Sequence, residues 1–394
     1  MRRRQTRKPR PAESQNEQTA PVEIEVVIER IIPGGFGLGH WEGQTVMVPL
    51  TVPGDKAWAR VERKSGKVLF ARLLNVSESG PDRVLPGCEY FGICGGCDFQ
   101  QLNYASQLRA KSAIIQDCFR RIAGVSLEDV TVVPSPDPWA YRSRAEWQCH
   151  PDPPVVGYFE RGSHKICDVA VCPILTSGVQ KALIAARARV SDADGRIRAG
   201  EIQATEGDDG VAVTPPVIGG PGRLVHRRIG EFLYEYGAES FFQANAGLLP
   251  ALVDLVTADA IGRLAVDLYC GVGLFSLPLA RRFEQLHGVE GDEGAIAFAD
   301  HNATEAGLTN TTFINGSVDQ WLDEEAPQLG TIDLLVLDPP RTGAGSQTID
   351  AITAAAPNRI VYVSCDPATL ARDTKQLLKS GYGLTSVTGF DLFP

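Results

Sequence analysis

Between residues 236 and 394 the chain alternates short apolar runs with helix-length stretches, and this alternation constrains the fold more than any other feature. Candidate strands lie at 264–269, 286–290, 311–314, 332–337, 359–364 and 384–389, and candidate helices near 245–260, 274–283, 293–306, 346–356 and 367–379. Strand–helix alternation of this kind specifies a mostly parallel sheet with helices on both faces. Three strands run into chemically distinctive loops. These are Asp267-Leu268-Tyr269-Cys270-Gly271-Val272-Gly273, Asp338-Pro339-Pro340-Arg341 and Ser364-Cys365-Asp366-Pro367. Ligands of open α/β sheets bind outside the carboxyl ends of the strands, so the three loops are expected on one rim. A cysteine on that rim can serve as a nucleophile. The competing reading is a small buried strand residue.

The first loop has the composition of a cofactor site. Gly271 and Gly273 let a ligand approach the backbone where a helix begins. Glu290 ends the next strand, where a carboxylate can accept hydrogen bonds from ribose hydroxyls. A third glycine is absent, because Ser276 holds that position. The loop therefore suits a cofactor without a pyrophosphate, such as S-adenosylmethionine, better than a dinucleotide.

The nine cysteines are unevenly spread, which suits metal or catalytic use better than a disulfide framework. Cys88, Cys94 and Cys97 occupy a Gly-rich segment, with five residues between the first pair and two between the second. Three thiolates on a backbone loosened by Gly92, Gly95 and Gly96 suit a soft metal or a cluster. A fourth ligand has two candidates, Cys167 and Cys172. Spacing leaves tetrahedral zinc and an iron–sulfur cluster both open.

Upstream, residues 21–77 carry several short strand-like segments with a Pro53-Gly54-Asp55 turn, the pattern of an OB-like β-barrel. Residues 78–235 form a central α+β region with a helix over Tyr104 to Ile122. Around Tyr141–Trp147 and Val155–Phe159 basic and aromatic residues interleave, as a surface for single-stranded RNA requires. Ordinary sheet pairing explains the same pattern. Six of the 38 Lys and Arg residues fall in the first ten positions, in a polar tail (1–20) expected to be disordered. Setting them aside leaves 32 basic against 48 acidic residues, so any polyanion must be met by local basic patches. No apolar run approaches the roughly 20 residues that span a bilayer. A cytoplasmic monomer without membrane contact is expected.

Taken together, residues 22–394 resemble the RNA uracil-5 methyltransferase family. The resemblance rests on the four cysteines, Phe241-Phe242-Gln243, Asp267–Gly271, Asp338–Arg341 and Ser364–Pro367. It implies a Rossmann-like S-adenosylmethionine methyltransferase domain over 236–394, a TRAM-type RNA-binding barrel, and a [4Fe–4S] cluster on Cys88, Cys94, Cys97 and Cys172. It further implies cofactor contacts from Gln243, Tyr269, Gly271, Gly273, Glu290, Ser317 and Asp338. Leu274 and Ser317 stand where the family often has asparagine. The substrate implied is a uridine in 23S rRNA or tRNA, methylated at carbon-5 through a covalent adduct with Cys365. The family pattern also includes a glutamate base and a last antiparallel strand beyond Phe393-Pro394, where this sequence stops. Two alternatives stay open: an RNA-binding protein or chaperone that keeps the fold without the activity, and a zinc-bearing cytosine-5 methyltransferase.

Overall fold

The computed structural model describes residues 22–191, 200–215 and 224–394; the basic tail lies outside them. The chain divides into two compact units, residues 22–31 with 35–81, and the remainder.

The first unit begins with β1 (Glu23–Ile32), whose side chains alternate between buried and exposed. Ile24, Val26 and Ile28 point inward, and Glu23, Glu25 and Val27 point outward. β2 (Phe36–Trp41), β3 (Gln44–Pro49), β4 (Lys56–Ser65) and β5 (Val68–Glu78) follow. They close into a barrel of order β1-β2-β3-β5-β4, with β4 antiparallel to β1 and β3 parallel to β5. Closure leaves no free sheet edge. Gly39 is required by close packing, since a Cβ there would lie 2.3 Å from the Val27 carbonyl oxygen.

The second unit opens with the cysteine loops and helix α1 (Tyr104–Cys118), capped by Asn103 Oδ1, which accepts from the Ser106 N–H at 2.9 Å. A π-helical turn, Phe119–Ala123, extends it to Gly124, whose φ of 76° ends the helix. After β6 (Val132–Val133) come β7 (Arg144–Pro151), β8 (Pro154–Phe159), β9 (Ile166–Asp168), α2 (Ser177–Ser191), β10 (Gly200–Glu206) and β11 (Val211–Thr214). The strands form an antiparallel sheet, β11-β10-β7-β8-β9. Helix α2 buries Val179, Ala182, Leu183, Ala186 and Val190 in the core built around Trp147 of this sheet. The hairpin of β12 (Leu224–Ile229) and β13 (Phe232–Gly237) sends Tyr234 and Tyr236 into the core of the α/β region. Phe242 lies 6.0 and 4.3 Å from their ring centroids.

The α/β region runs α3 (Leu249–Val256), β14 (Gly262–Leu268), α4 (Ser276–Ala280), β15 (Phe283–Glu290), α5 (Glu293–Glu305), β16 (Thr311–Asn315), α6 (Val318–Glu324), β17 (Leu334–Leu337), α7 (Ser346–Ala355), β18 (Ile360–Tyr362) and α8 (Pro367–Lys379). Its sheet is wholly parallel, in the order β16-β15-β14-β17-β18. The strand order therefore reverses between β14 and β17, and a crevice opens there at the carboxyl ends. Both faces are covered, which explains why β14 and β17 are almost continuously buried.

The sixth strand expected at 384–389 does not join this sheet. Strand pairing there is confined to β19 (Gly389–Phe390), which pairs in parallel with β6 of the central region. The Gly389 N–H donates to the Thr131 carbonyl (2.8 Å). The buried Asp391 carboxylate meets Lys111 of α1. This ion pair and the β6 ladder capture the segment, so local apolar pattern is overridden by tertiary pairing.

Candidate active site

At the end of β14 the backbone passes through three left-handed residues, Tyr269 (φ 61°), Gly271 (φ 55°) and Gly273 (φ 92°). For tyrosine this conformation is costly, and such strain is characteristic of sites where the surrounding structure holds it in place. The Gly271 N–H donates to Glu290 Oε2 (3.2 Å) at the tip of β15, while Glu290 Oε1 accepts from Asp292 N–H (3.0 Å). A Cβ on Gly271 would meet no atom within 4 Å, so this part of the loop faces open space. Gly273 is constrained differently, with Leu277 Cδ1 2.8 Å from the position of its missing Cβ.

Asp267, fully buried in β14, accepts from Ser276 Oγ at 2.5 Å. Its other oxygen has no hydrogen-bond partner among the described residues. Burial drives its carboxyl up to about 7, with Asp338 and Glu290 adding to the rise and Ser276 opposing it. Asp338, in the Pro-Pro loop after β17, is pushed to about 6 by burial, partly offset by the hydrogen bond from Gln243 Nε2 (3.3 Å). Gln243 is held beside it because Ser143, just ahead of β7, fixes the next residue. Both its N–H (2.7 Å) and its Oγ (2.8 Å) donate to the Ala244 carbonyl. Ser317 is exposed at the N-terminus of α6, next to Gly316, whose N–H donates to the Glu290 carbonyl (2.9 Å). Leu274 turns into the core and offers only its carbonyl, to Tyr234 Oη (3.0 Å).

Cys365 is exposed, one residue before the cap of α8. The Asp366 carboxylate accepts from the N–H groups of Ala368 (2.9 Å) and Thr369 (2.8 Å), and Pro367 stands at the first helical turn. Partial burial raises the thiol; the Arg341 guanidinium lowers it, and Asp338 and Asp366 raise it further. Cys365, Arg341 and Asp338 thus share one electrostatic neighbourhood. Outside the crevice, Arg144 lies over the exposed Phe241 ring (5.8 Å to its centroid).

The expected cofactor residues therefore gather on adjacent strand ends: Gln243 with Asp338, Gly271 with Glu290, and Ser317 beside Glu290. The sequence reading misses the Asp267–Ser276 pair and Asp373 of α8. Asp267 and Ser276 each stand as a polar side chain inside a buried apolar run, whereas Asp373 lies among polar residues of α8.

The thiols of Cys88, Cys94, Cys97 and Cys172 line one cavity, with Arg142, Tyr158 and Gln100 among its other walls. Cys167 instead packs into the core of the antiparallel sheet. Burial raises Cys94 and Cys172 and takes Cys97 up to about 12. Among the described residues, no three His, Cys, Asp or Glu side chains converge closely enough to hold a single metal ion. No helix among them is long and apolar enough to cross a membrane.

Known proteins resemble this chain over nearly its whole length. The profile of the tRNA (uracil-5-)-methyltransferase family matches residues 225–394. A 23S rRNA (uracil(1939)-C(5))-methyltransferase RlmD of Alkalilimnicola ehrlichii is 31% identical over 94% of each chain. The RlmD of Shewanella amazonensis is 30% identical over 94% of this chain and 93% of its own. The crystal structure of Pyrococcus abyssi tRNA (uracil-54, C5)-methyltransferase, in complex with S-adenosyl-L-homocysteine, superposes with a TM-score of 0.70. It shares 25% identity, over 94% of this chain and 97% of that one.

Proposed function

Since the chain belongs to the RNA uracil-5 methyltransferase family, we propose that it methylates carbon-5 of a uridine in 23S rRNA or tRNA through a covalent adduct on Cys365. The observation that carries this reading is the exposed Cys365 just ahead of the cap of α8, after β18 and on the same sheet as β14 and β17, with Arg341 and Asp338 contributing to the electrostatics of its thiol. Uracil carbon-5 is too weak a nucleophile to be methylated unaided. Addition of the Cys365 thiolate to carbon-6 moves the 5,6-double-bond electrons toward O4, and the resulting enolate makes carbon-5 nucleophilic. Bound S-adenosylmethionine supplies an electrophilic methyl group on its sulfonium. Carbon-5 takes that methyl; a base then removes the carbon-5 proton, the Cys365–carbon-6 bond breaks, and the thiolate leaves. Arg341 favours the thiolate form of Cys365. Asp338 faces the same space and is suited to the uracil edge or the cofactor, with Gln243 holding its carboxylate.

The open face of Gly271, Glu290 beside it, and the left-handed Tyr269 form the cradle for the cofactor, with Gly273, Ser317 and Gln243 at its margins. The target uridine must leave its stack to reach the crevice, and the exposed Phe241 ring with Arg144 over it is suited to stacking on an RNA base. On the barrel, exposed Trp58 and the Arg63 guanidinium 3.9 Å above Phe70 are suited to RNA. Cys88, Cys94, Cys97 and Cys172 are assigned to a [4Fe–4S] cluster. Four cysteines lining one cavity supply the ligand number that such a cluster needs. Arg142 in the wall suits the net negative charge of such a group.

Mass spectrometry of nucleosides from RNA incubated with protein and methyl-labelled cofactor tests the reading. Labelled 5-methyluridine is expected, and it should disappear in Cys365→Ala. Labelled 5-methylcytidine, or bound RNA and cofactor with no methylated nucleoside, would overturn it.

A further inference from the structure

Asp373 lies in the second turn of α8, eight residues after Cys365, and is 1% exposed. A buried carboxylate persists only when its oxygens are satisfied, and here three donors converge on it. Its Oδ2 accepts from the Ala344 N–H (3.0 Å) and from Tyr362 Oη (2.8 Å), and its Oδ1 accepts from Arg372 Nε (2.8 Å). Ala344 belongs to the loop that continues from the Asp-Pro-Pro-Arg motif. That loop is fastened to α8 at two further points: Thr369 Oγ1 donates to the Arg341 carbonyl (3.4 Å) and Arg372 donates to the Thr342 carbonyl (2.9 Å). Gly343 has φ 75°, and a Cβ there would fall 2.6 Å from Asp373 Oδ2, so the loop is pressed directly onto the carboxylate.

One helix therefore mounts both the cysteine at its N-terminus and the loop that brings the guanidinium. We propose that Asp373 is a positioning residue, which fixes the Arg341 loop on α8 and so sets the reactivity of Cys365. The charged groups facing Cys365 are Arg341 and Asp338 from the loop and Asp366 from the start of α8. The two aspartates oppose ionisation and Arg341 favours it. Asp338 is anchored separately, by its N–H to the Leu268 carbonyl (3.3 Å) and by Gln243, so displacing the Arg341–Ala344 stretch withdraws the favourable charge. The proposal rests on Cys365 being the nucleophile, but its test needs neither RNA nor cofactor.

The experiment is alkylation of the full-length protein by iodoacetamide, followed at the Cys365 peptide by mass spectrometry across a pH series. In Asp373→Asn the rate near neutral pH should fall at least about threefold, the change expected for half a pKa unit, while the rates converge in strong alkali. In an Arg341→Ala background, Asp373→Asn should produce no further fall. A folded Asp373→Asn protein alkylated at the wild-type rate, or a fall that adds fully to that of Arg341→Ala, overturns the proposal. Should Asp373→Asn not fold, Tyr362→Phe removes one donor and leaves the carboxylate. It should show a smaller fall of the same kind, and wild-type alkylation there overturns the proposal as well. Methyl transfer surviving in Cys365→Ala would instead refute the nucleophile assignment and leave the alkylation result standing.

Discussion

At the residue scale, two aspartates, Asp267 buried in β14 and Asp338 after β17, are held above the ordinary carboxylate range, at about 7 and about 6. Each keeps a proton in the folded protein that the unfolded chain has released, from about pH 4 upward. Over that window the native state binds more protons, so stability falls as pH rises, ending near pH 7 for Asp267 and near pH 6 for Asp338. Asp267→Asn should remove the larger part of this slope. The variant should gain stability over the wild type between about pH 5 and about pH 8, by on the order of a few kcal/mol. Melting temperatures at the two pH values check it, and parallel curves for the two proteins would contradict it. Gly271→Val places a side chain in the open face of the loop. Cofactor affinity measured by calorimetry should drop at least about tenfold, or roughly 1.4 kcal/mol. Unchanged affinity in a folded variant would exclude this loop as the cofactor cradle.

At the scale of single elements, α8 links local sequence to chemistry. Asp366-Pro367 is a helix start readable from sequence, and the structure makes it the cap that follows the exposed cysteine. Asp366→Ala frees the N–H groups of Ala368 and Thr369 and should cost about 1 kcal/mol, seen as a lower melting temperature. A melting temperature equal to that of the wild type would show that the cap contributes nothing. β14 and β17 were legible because each is a buried apolar run with a distinctive loop behind it. Helix α6 was not: it has seven residues and follows Gly316-Ser317 directly. Its only signal is Val318, Trp321 and Leu322 on one face. The segment at 384–389 misled for the opposite reason. Its apolar residues look like a strand, but its pairing is decided by β6 and by Lys111, more than 250 residues earlier in the chain.

At the scale of the whole molecule, the cysteine cavity shows what sequence spacing can and cannot do. Cys88, Cys94 and Cys97 announce themselves through their glycines, whereas spacing alone leaves Cys167 and Cys172 both open and the family resemblance is what favours Cys172. Folding then sends the Cys167 side chain into the sheet core and Cys172 into the cavity. Protein purified without oxygen should contain about four iron and about four sulfide per chain. Cys172→Ser should lose them, and Cys167→Ser should keep them; stoichiometric zinc without iron would refute the cluster. The crevice was legible to a similar degree. Its loops could be placed on one rim from strand order alone, but the closeness of Arg341 and Asp338 to Cys365 required the packing of α8. That closeness bears on the central claim, that Cys365 adds to uridine before carbon-5 is methylated, and the most direct measurement is a trap for the adduct. In RNA whose uridines carry fluorine at carbon-5, the fluorine cannot leave as a cation after methyl transfer, so elimination is blocked. With methyl-labelled cofactor, a protein–RNA species resistant to denaturation should form, carrying the label and mapping to Cys365. It should be absent in Cys365→Ala. Its absence from the wild-type protein, while that protein still makes 5-methyluridine in ordinary RNA, would contradict the covalent mechanism.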